Sequence, residues 1–281
     1  MNAATVGVLY LGGKMVMKAQ FDLGDLQAIL TYVSQILMSV MMVAMTLLQL
    51  SRAQACARRI NEVLDTEPSV ENSDRSAARP LPAPRGEVEF RDVSFKYVAS
   101  GTGDDVLEHI SFTVRPGQFV AIVGGTGTGK SSLVNLIPRF YDVTGGAVLV
   151  DGMDVRDYPL EQLRSRIGMV LQSNVLFSGT IRENLLWGDP DATEEQMIQA
   201  AKDAQAYDFI MSFPDGFDTL LEQGGVNVSG GQKQRLCIAR AMLRHPAILI
   251  LDDSTSAVDS ATEAAIRASF AKNLKGTTVI I

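Results

Sequence analysis

Residues 119–132 read FVAIVGGTGTGKSS. An apolar run from Phe119 to Val123 passes without a break into Gly124, four residues, Gly129, Lys130 and Ser131, after which SSLVNLI has the spacing of a short helix ended near Pro138. A strand, a glycine loop and a helix in that order are the context a phosphate-binding P-loop requires. Gly124, Gly125, Thr126, Gly127, Thr128 and Gly129 let successive N–H groups curl around phosphates with little Cβ obstruction, and the helix start adds partial positive charge. Lys130 is placed for the β and γ phosphates and the Ser131 hydroxyl for Mg²⁺, with Ser132 beside it in the first turn. The alternative is a glycine-rich turn that binds nothing.

A phosphate site needs a carboxylate for its metal, ordinarily at the end of a neighbouring buried strand. Ala247 to Leu251 (AILIL) is an apolar run of strand length ending in Asp252-Asp253, so Asp252 is the expected Mg²⁺ partner. A helix cap or a solvated turn is the competing use of such a pair. Between the two lies VSGGQKQRLCIARAML, residues 228–243, where Ser229, Gly230, Gly231 and Gln232 open an amphipathic helix and offer a second anion site. Plain capping is the other reading. Upstream, Val88, Phe90, Val93 and Phe95 alternate with polar residues as in a half-buried strand, a second strand is expected from Ile110 to Val114, and the turn Pro116-Gly117 leads into the third.

The chain has 281 residues, 46% hydrophobic and 20% charged, with a formal net charge of −7. Only Lys14, Lys18, Asp22 and Asp25 carry charge in the first 51 residues, so the acidity belongs to the rest. An acidic body without a Lys/Arg cluster argues against a nucleic-acid surface. Two cysteines, Cys56 and Cys237, are too few and too scattered for a disulfide framework or a zinc site, which fits a reducing compartment.

Leu26 to Ser51 contains no charge, Pro or Gly. As a helix it spans about 39 Å, more than the roughly 30 Å of bilayer hydrocarbon. A long buried helix of a soluble bundle is the alternative. Arg52, Arg58 and Arg59 follow directly and orient the C-terminal end, and hence the body, toward the cytoplasm. ATVGVLYLGG before it reads as an apolar stub entering a turn at GGKMVMKAQFDLGD, and residues 67–86, rich in proline, read as a linker.

With the phosphate loop, VSGGQ and the strand ending in Asp-Asp in this order, the body resembles the nucleotide-binding domain of an ATP-binding cassette (ABC) transporter, and the apolar helix before it makes the chain similar to an exporter half-transporter of the multidrug or lipid type. The resemblance implies an α/β P-loop NTPase domain, with a mixed sheet, an antiparallel β subdomain and a helical subdomain, preceded by an all-α transmembrane segment. Residues 1–65 would be the end of the fifth membrane helix, a short outer loop, the sixth helix and its cytoplasmic extension; 66–86 the linker; and 87–281 the nucleotide-binding domain. ATP and Mg²⁺ are the implied ligands. Tyr97 would stack on the adenine, Gln172 would contact the metal and attacking water, Asp259 would lie in the loop that communicates across the domain pair, and Glu222 would sense the membrane domain. Two cassettes of this family sandwich two ATP molecules, so Ser229 and Gly231 would act on the nucleotide of a partner half-transporter.

Two departures qualify the match. The family usually carries Glu where this chain has Asp253, the candidate catalytic carboxylate; one methylene less implies a degenerate, slow site and a heterodimer with a fully equipped half. The chain also ends in TTVII, before the family's switch histidine, and neither His109 nor His245 matches that position. On this reading it is a fragment of a half-transporter, in the plasma or inner membrane, in contact with lipid and a hydrophobic substrate. The competing classes are a module that binds ATP only to dimerise, and a soluble SGGQ-type ATPase of DNA repair or translation, which the apolar helix and the short separation of Ser131 from Ser229 disfavour.

Overall fold

The computed structural model describes residues 2–18, 20, 22–72, 80–97, 105–252 and 260–281. It divides into two compact units, Met1–Pro68 and Ser69–Ile281.

The first unit contains α1 (Asn2–Met17) and α2 (Leu23–Leu64). The turn expected within GGKMVMKAQFDLGD falls in the later part of that stretch: α1 runs through Gly12 and Gly13 to Met17, and α2 begins at Leu23. Packing explains why the helix runs through the glycines. A Cβ on Gly12 would collide with the Leu26 side chain, so the glycine permits close helix contact instead of breaking the helix. α2 is unbroken from the apolar stretch into the charged extension and is the one helix, among the described residues, long and apolar enough to cross a membrane. Its hydroxyls do not demand outside partners: Thr31, Ser34, Ser39, Thr46 and Ser51 each donate to the carbonyl four residues earlier, at 2.8–3.1 Å. That local satisfaction removes most of the cost of placing them in hydrocarbon.

The second unit begins with β1 (Val88–Phe95), β2 (Leu107–Val114) and β3 (Phe119–Val120), followed by α3 (Lys130–Leu136). Then come β4 (Gly145–Val150), β5 (Met153–Asp154), α4 (Leu160–Ser165) and β6 (Ile167–Val170). A mainly helical stretch holds β7 (Gly179–Thr180), α5 (Ile181–Leu186), α6 (Glu194–Asp203), α7 (Tyr207–Met211), β8 (Leu220–Leu221) and α8 (Gly230–Leu243). β9 (Ile248–Leu251), α9 (Ser260–Asn273) and β10 (Thr278–Ile280) follow.

Two four-stranded sheets organise this unit: an antiparallel one, β2-β1-β4-β5, and one in the order β3-β10-β9-β6 whose pairs are all parallel. β9 shows why the parallel sheet is central. Its four residues are all fully buried, with Ile248 and Ile250 entering a core shared with Phe90, Leu136 and Tyr158, while Leu249 and Leu251 face the other way among Leu236, Ile238 and Met242. A strand covered on both faces has no reason to alternate apolar with polar, which is why AILIL is a continuous run. Tyr158 in the first core keeps its hydroxyl bonded to the Val150 carbonyl at 2.8 Å, and burial pushes its pKa up to about 12.

Strand ends differ from the sequence reading. β3 stops at Val120 rather than Val123, although the ladder continues through Ile122 N–H to the Ile281 carbonyl at 2.7 Å before the glycines leave the sheet. β2 starts at Leu107, so His109, expected ahead of the strand, lies within it. There it faces Asp92 across the ladder; both hold a left-handed backbone, φ 51° and 50°, at an irregularity in the β1–β2 register.

Asp151 anchors the chain entering the second unit. Its Oδ1 accepts from the N–H groups of Arg85 and Glu87, and its Oδ2 lies 3.5 Å from Arg166 Nη1, which donates to the Pro82 carbonyl. The Asp151 side chain is 2% exposed and that of Arg166 13%. Asp151→Ala is expected to lower stability by about 2–3 kcal/mol, since it strands a mostly buried cation and two backbone donors; denaturant unfolding of the two proteins measures this, and equal midpoints would refute the anchoring role. A smaller, pH-dependent effect is expected at His109, whose Nδ1 lies 2.8 Å from Asp92 Oδ1 and whose pKa that bond raises above 6.5. The pair's stabilisation is complete below 6.5 and fades as pH rises through the higher folded value. Both side chains are exposed, so the shift of the thermal midpoint across that window is small, and His109→Asn is expected to abolish it.

Candidate functional site

The register of the parallel sheet brings together residues far apart in sequence. β10 lies between β3 and β9, and β6 flanks β9 on the other side, so the segments leaving β3, β9 and β6 emerge at one edge. Those segments carry the glycine loop, Asp252 and Gln172. Asp252 N–H donates to the Val170 carbonyl at 2.9 Å, which holds the carboxylate-bearing turn against the end of β6.

The loop itself needs its glycines at specific positions. Gly127 and Gly129 have φ of 81° and 84°, left-handed values that favour glycine, and a Cβ on Gly129 would press to 3.0 Å against Leu107 and the Val106 carbonyl. A Cβ on Gly124 would come within 2.8 Å of the Thr128 hydroxyl, which donates back to the Gly125 carbonyl at 3.0 Å and closes the turn. α3 then begins with Gly129 as its cap, and Leu133 N–H makes the first helical bond to Gly129 O at 2.8 Å. Lys130 Nζ donates to the carbonyls of Gly124 and Gly125 at 2.8 and 2.7 Å, which places the ammonium over the loop. Exchanging those neutral acceptors for phosphate oxygens would make charge-assisted bonds, the stronger kind.

Ser131 Oγ donates to Asp252 Oδ1 at 2.9 Å across 121 positions of sequence. One hydroxyl and one carboxylate oxygen are hard donors suited to Mg²⁺, an ion that ordinarily takes one or two carboxylates and completes its shell with water and phosphate. The two residues therefore fit the ion. No cluster of three or more His, Cys, Asp or Glu side chains that could hold a metal by themselves occurs among the described residues.

Tyr97 joins this region through its hydroxyl, 2.9 Å from Ser132 Oγ. Its ring meets Phe95 edge-on at 4.9 Å and Tyr141 at 5.1 Å. Tyr141 is a residue that sequence reasoning missed, because it follows the end of α3 in a turn with no periodic pattern to mark it. Gln172 is exposed, two residues beyond the end of β6, which stops at Val170 rather than running to Gln172. Asp253 and Asp259 lie outside the described residues.

Ser229 and Gln232 are brought together at the start of α8: Ser229 Oγ accepts from Gln232 N–H at 3.3 Å and Gln232 Oε1 accepts from Ser229 N–H at 2.8 Å. This reciprocal capping box explains Ser and Gln at that spacing by helix chemistry alone, with Gly230 and Gly231 between them in the first turn. Glu222 N–H is held by Asn227 Oδ1 at 3.1 Å, and His245, with φ 48°, occupies the turn before Pro246.

Comparison with known proteins follows the same lines. The ABC transporter family pattern matches residues 107–256, from β2 through the Asp252 turn. An ABC transporter ATP-binding protein of Mycobacterium tuberculosis is 47% identical over 283 residues, covering 100% of this chain and 48% of the relative. An ATP-dependent lipid A-core flippase of Syntrophus aciditrophicus is 38% identical, over 98% of this chain and 45% of the relative. Among solved structures, a bacterial Atm1-family ABC exporter with ATP bound superposes with a TM-score of 0.82 at 32% identity, over 100% of this chain and 49% of that one. The chain spans about half the length of the curated relatives it matches. These likenesses, with the apolar α2, make it a membrane protein whose ATP-binding domain is cytoplasmic. The chain belongs to the ABC transporter family.

Proposed function

We propose that the chain is the ATP-binding half of an ABC exporter, coupling ATP binding and hydrolysis to the outward movement of a hydrophobic or amphipathic substrate. The observation that carries the nucleotide chemistry is the Ser131–Asp252 bond, which joins the phosphate loop to the strand-end carboxylate. Residues 124–129 offer backbone N–H groups, Lys130 supplies the positive charge for the β and γ phosphates, and Ser132 orients Tyr97 toward the base. Mg²⁺, held by Ser131, Asp252 and Gln172, would neutralise charge developing on the transferring phosphoryl group.

Asp253 is the carboxylate assigned to position the attacking water, and its short side chain supports slow turnover. Gln172, beyond the same end of the neighbouring strand β6, shares that task. Ser229, Gly230, Gly231 and Gln232 are assigned to the nucleotide of a second half-transporter, and the pairing of a weak site with an intact signature sequence favours a heterodimer over two identical chains. The lipid A-core flippase among the relatives supports an amphipathic cargo and a lipid environment.

Lys130→Ala is expected to weaken ATP binding by about tenfold to a hundredfold, the loss of one charge-assisted contact, in calorimetric titration. Unchanged affinity would remove the loop from the site. Asp253→Glu is expected to raise steady-state hydrolysis, by up to about 10²-fold if the methylene restores the reach of the carboxylate. Equal rates in the two proteins would count against a degenerate site, and absence of hydrolysis in both, with ATP bound, would favour the dimerisation-only module.

A further inference from the structure

The loop that follows β6 leaves the phosphate site at Gln172 and ends in the helical part of the unit. Three residues after Gln172, the Val175 carbonyl accepts from Arg240 Nη2 at 3.0 Å, with Cys237 Sγ at 3.8 Å from the same oxygen. Cys237 lies in the middle of α8 and Arg240 in its last turn. Burial raises the pKa of the Cys237 thiol, so it stays a neutral, weak donor. Arg240 Nη2 also lies 3.5 Å from that sulfur, and its guanidinium sits 6.0 Å from the Phe177 ring centroid.

Phe177 in turn is fixed to α5. Asn184, 2% exposed, accepts from Phe177 N–H and donates to its carbonyl, each at 2.9 Å. The Phe177 ring stacks on Trp187 at 4.5 Å and 19°. The turn after α5 fits so closely that a Cβ on Gly188 would collide with the Arg240 carbonyl. Arg240 is thus the residue at which the Gln172 loop, the end of α5 and the helix opened by Ser229 meet. Its five-donor planar fork suits a carbonyl and a ring at once, a geometry lysine lacks.

We propose that Arg240 is a positioning residue for the nucleotide site: it ties the loop carrying Gln172 to the helix carrying Ser229–Gln232, so that a change at the phosphates is delivered to that helix and to Trp187. This rests on the nucleotide reading given above. It assigns Arg240 no contact with ATP; the residue acts through Val175, Phe177 and α8. Rigid continuity of α8 from Ser229 to Arg240 carries the link, since no break interrupts the helix between them.

The chain contains a single tryptophan, so its fluorescence reports Trp187 alone. In the full chain, MgATP is expected to change that emission with the half-saturation found by calorimetry. Arg240→Met should retain ATP affinity while losing most of the emission change, and Arg240→Lys should fall between. Amide exchange of residues 174–178 should quicken about tenfold in Arg240→Lys, the loss of one hydrogen bond, with β9 unaffected. Should Arg240→Met fail to fold, Arg240→Lys carries both readouts. A wild-type emission indifferent to MgATP, or a full response in the Arg240 variants, overturns the proposal. Loss of ATP binding in the wild type instead overturns the nucleotide reading beneath it, and calorimetry separates the two.

Discussion

The backbone ladder between β10, β9 and β6 sets the position of the groups assigned to phosphate and metal. Because β9 is buried on both faces, a slip of one residue would exchange Ile248 and Ile250 with Leu249 and Leu251 between two cores and move Asp252 away from Ser131. Hydrophobic packing therefore fixes a hydrogen-bond distance of 2.9 Å at the edge of the sheet. One core reaches the phosphate loop through Leu107, beside Gly129, and both are needed to hold it.

A second dependence runs sideways. Three helices of the helical part, α5, α6 and α8, have starts closed by reciprocal caps, Thr180 with Glu183, Thr193 with Gln196 and Ser229 with Gln232. Asp203 then ties α6 to α9 by accepting from Ser269 and Asn273, and Arg240 ties α8 to the loop beyond β6. These polar ties are few and specific, and they supplement one continuous apolar cluster that runs from α5, α6 and α8 to β9.

Much of this was legible in the residues. The glycine spacing at 124–129 and the apolar run ending in Asp252 are local signals, and the structure brings the two together. Tyr97 was read from a resemblance, and its approach to Ser132 could not have been read from spacing, since a bond across 35 positions depends on tertiary packing. The turn before α2 was legible only to within GGKMVMKAQFDLGD, because glycine serves both turns and close helix contacts, and the partner, Leu26, marks Gly12 as the latter. His109 was misplaced because an irregular register hides the strand's true start, Leu107. Arg240 was invisible for a simpler reason: in an amphipathic helix a basic residue reads as surface, and the carbonyl it seeks belongs to a different segment.

The unbroken course of α2 has a mechanical meaning. Forty-two residues make a shaft of about 63 Å, roughly twice the hydrocarbon thickness. The part beyond Ser51, about 20 Å long, carries Arg52, Arg58 and Arg59 past the apolar stretch. With no proline and one continuous helical course, the shaft is a single element from Leu23 to Leu64. A displacement applied at one end is passed along this rod, with no break in the helix to take it up.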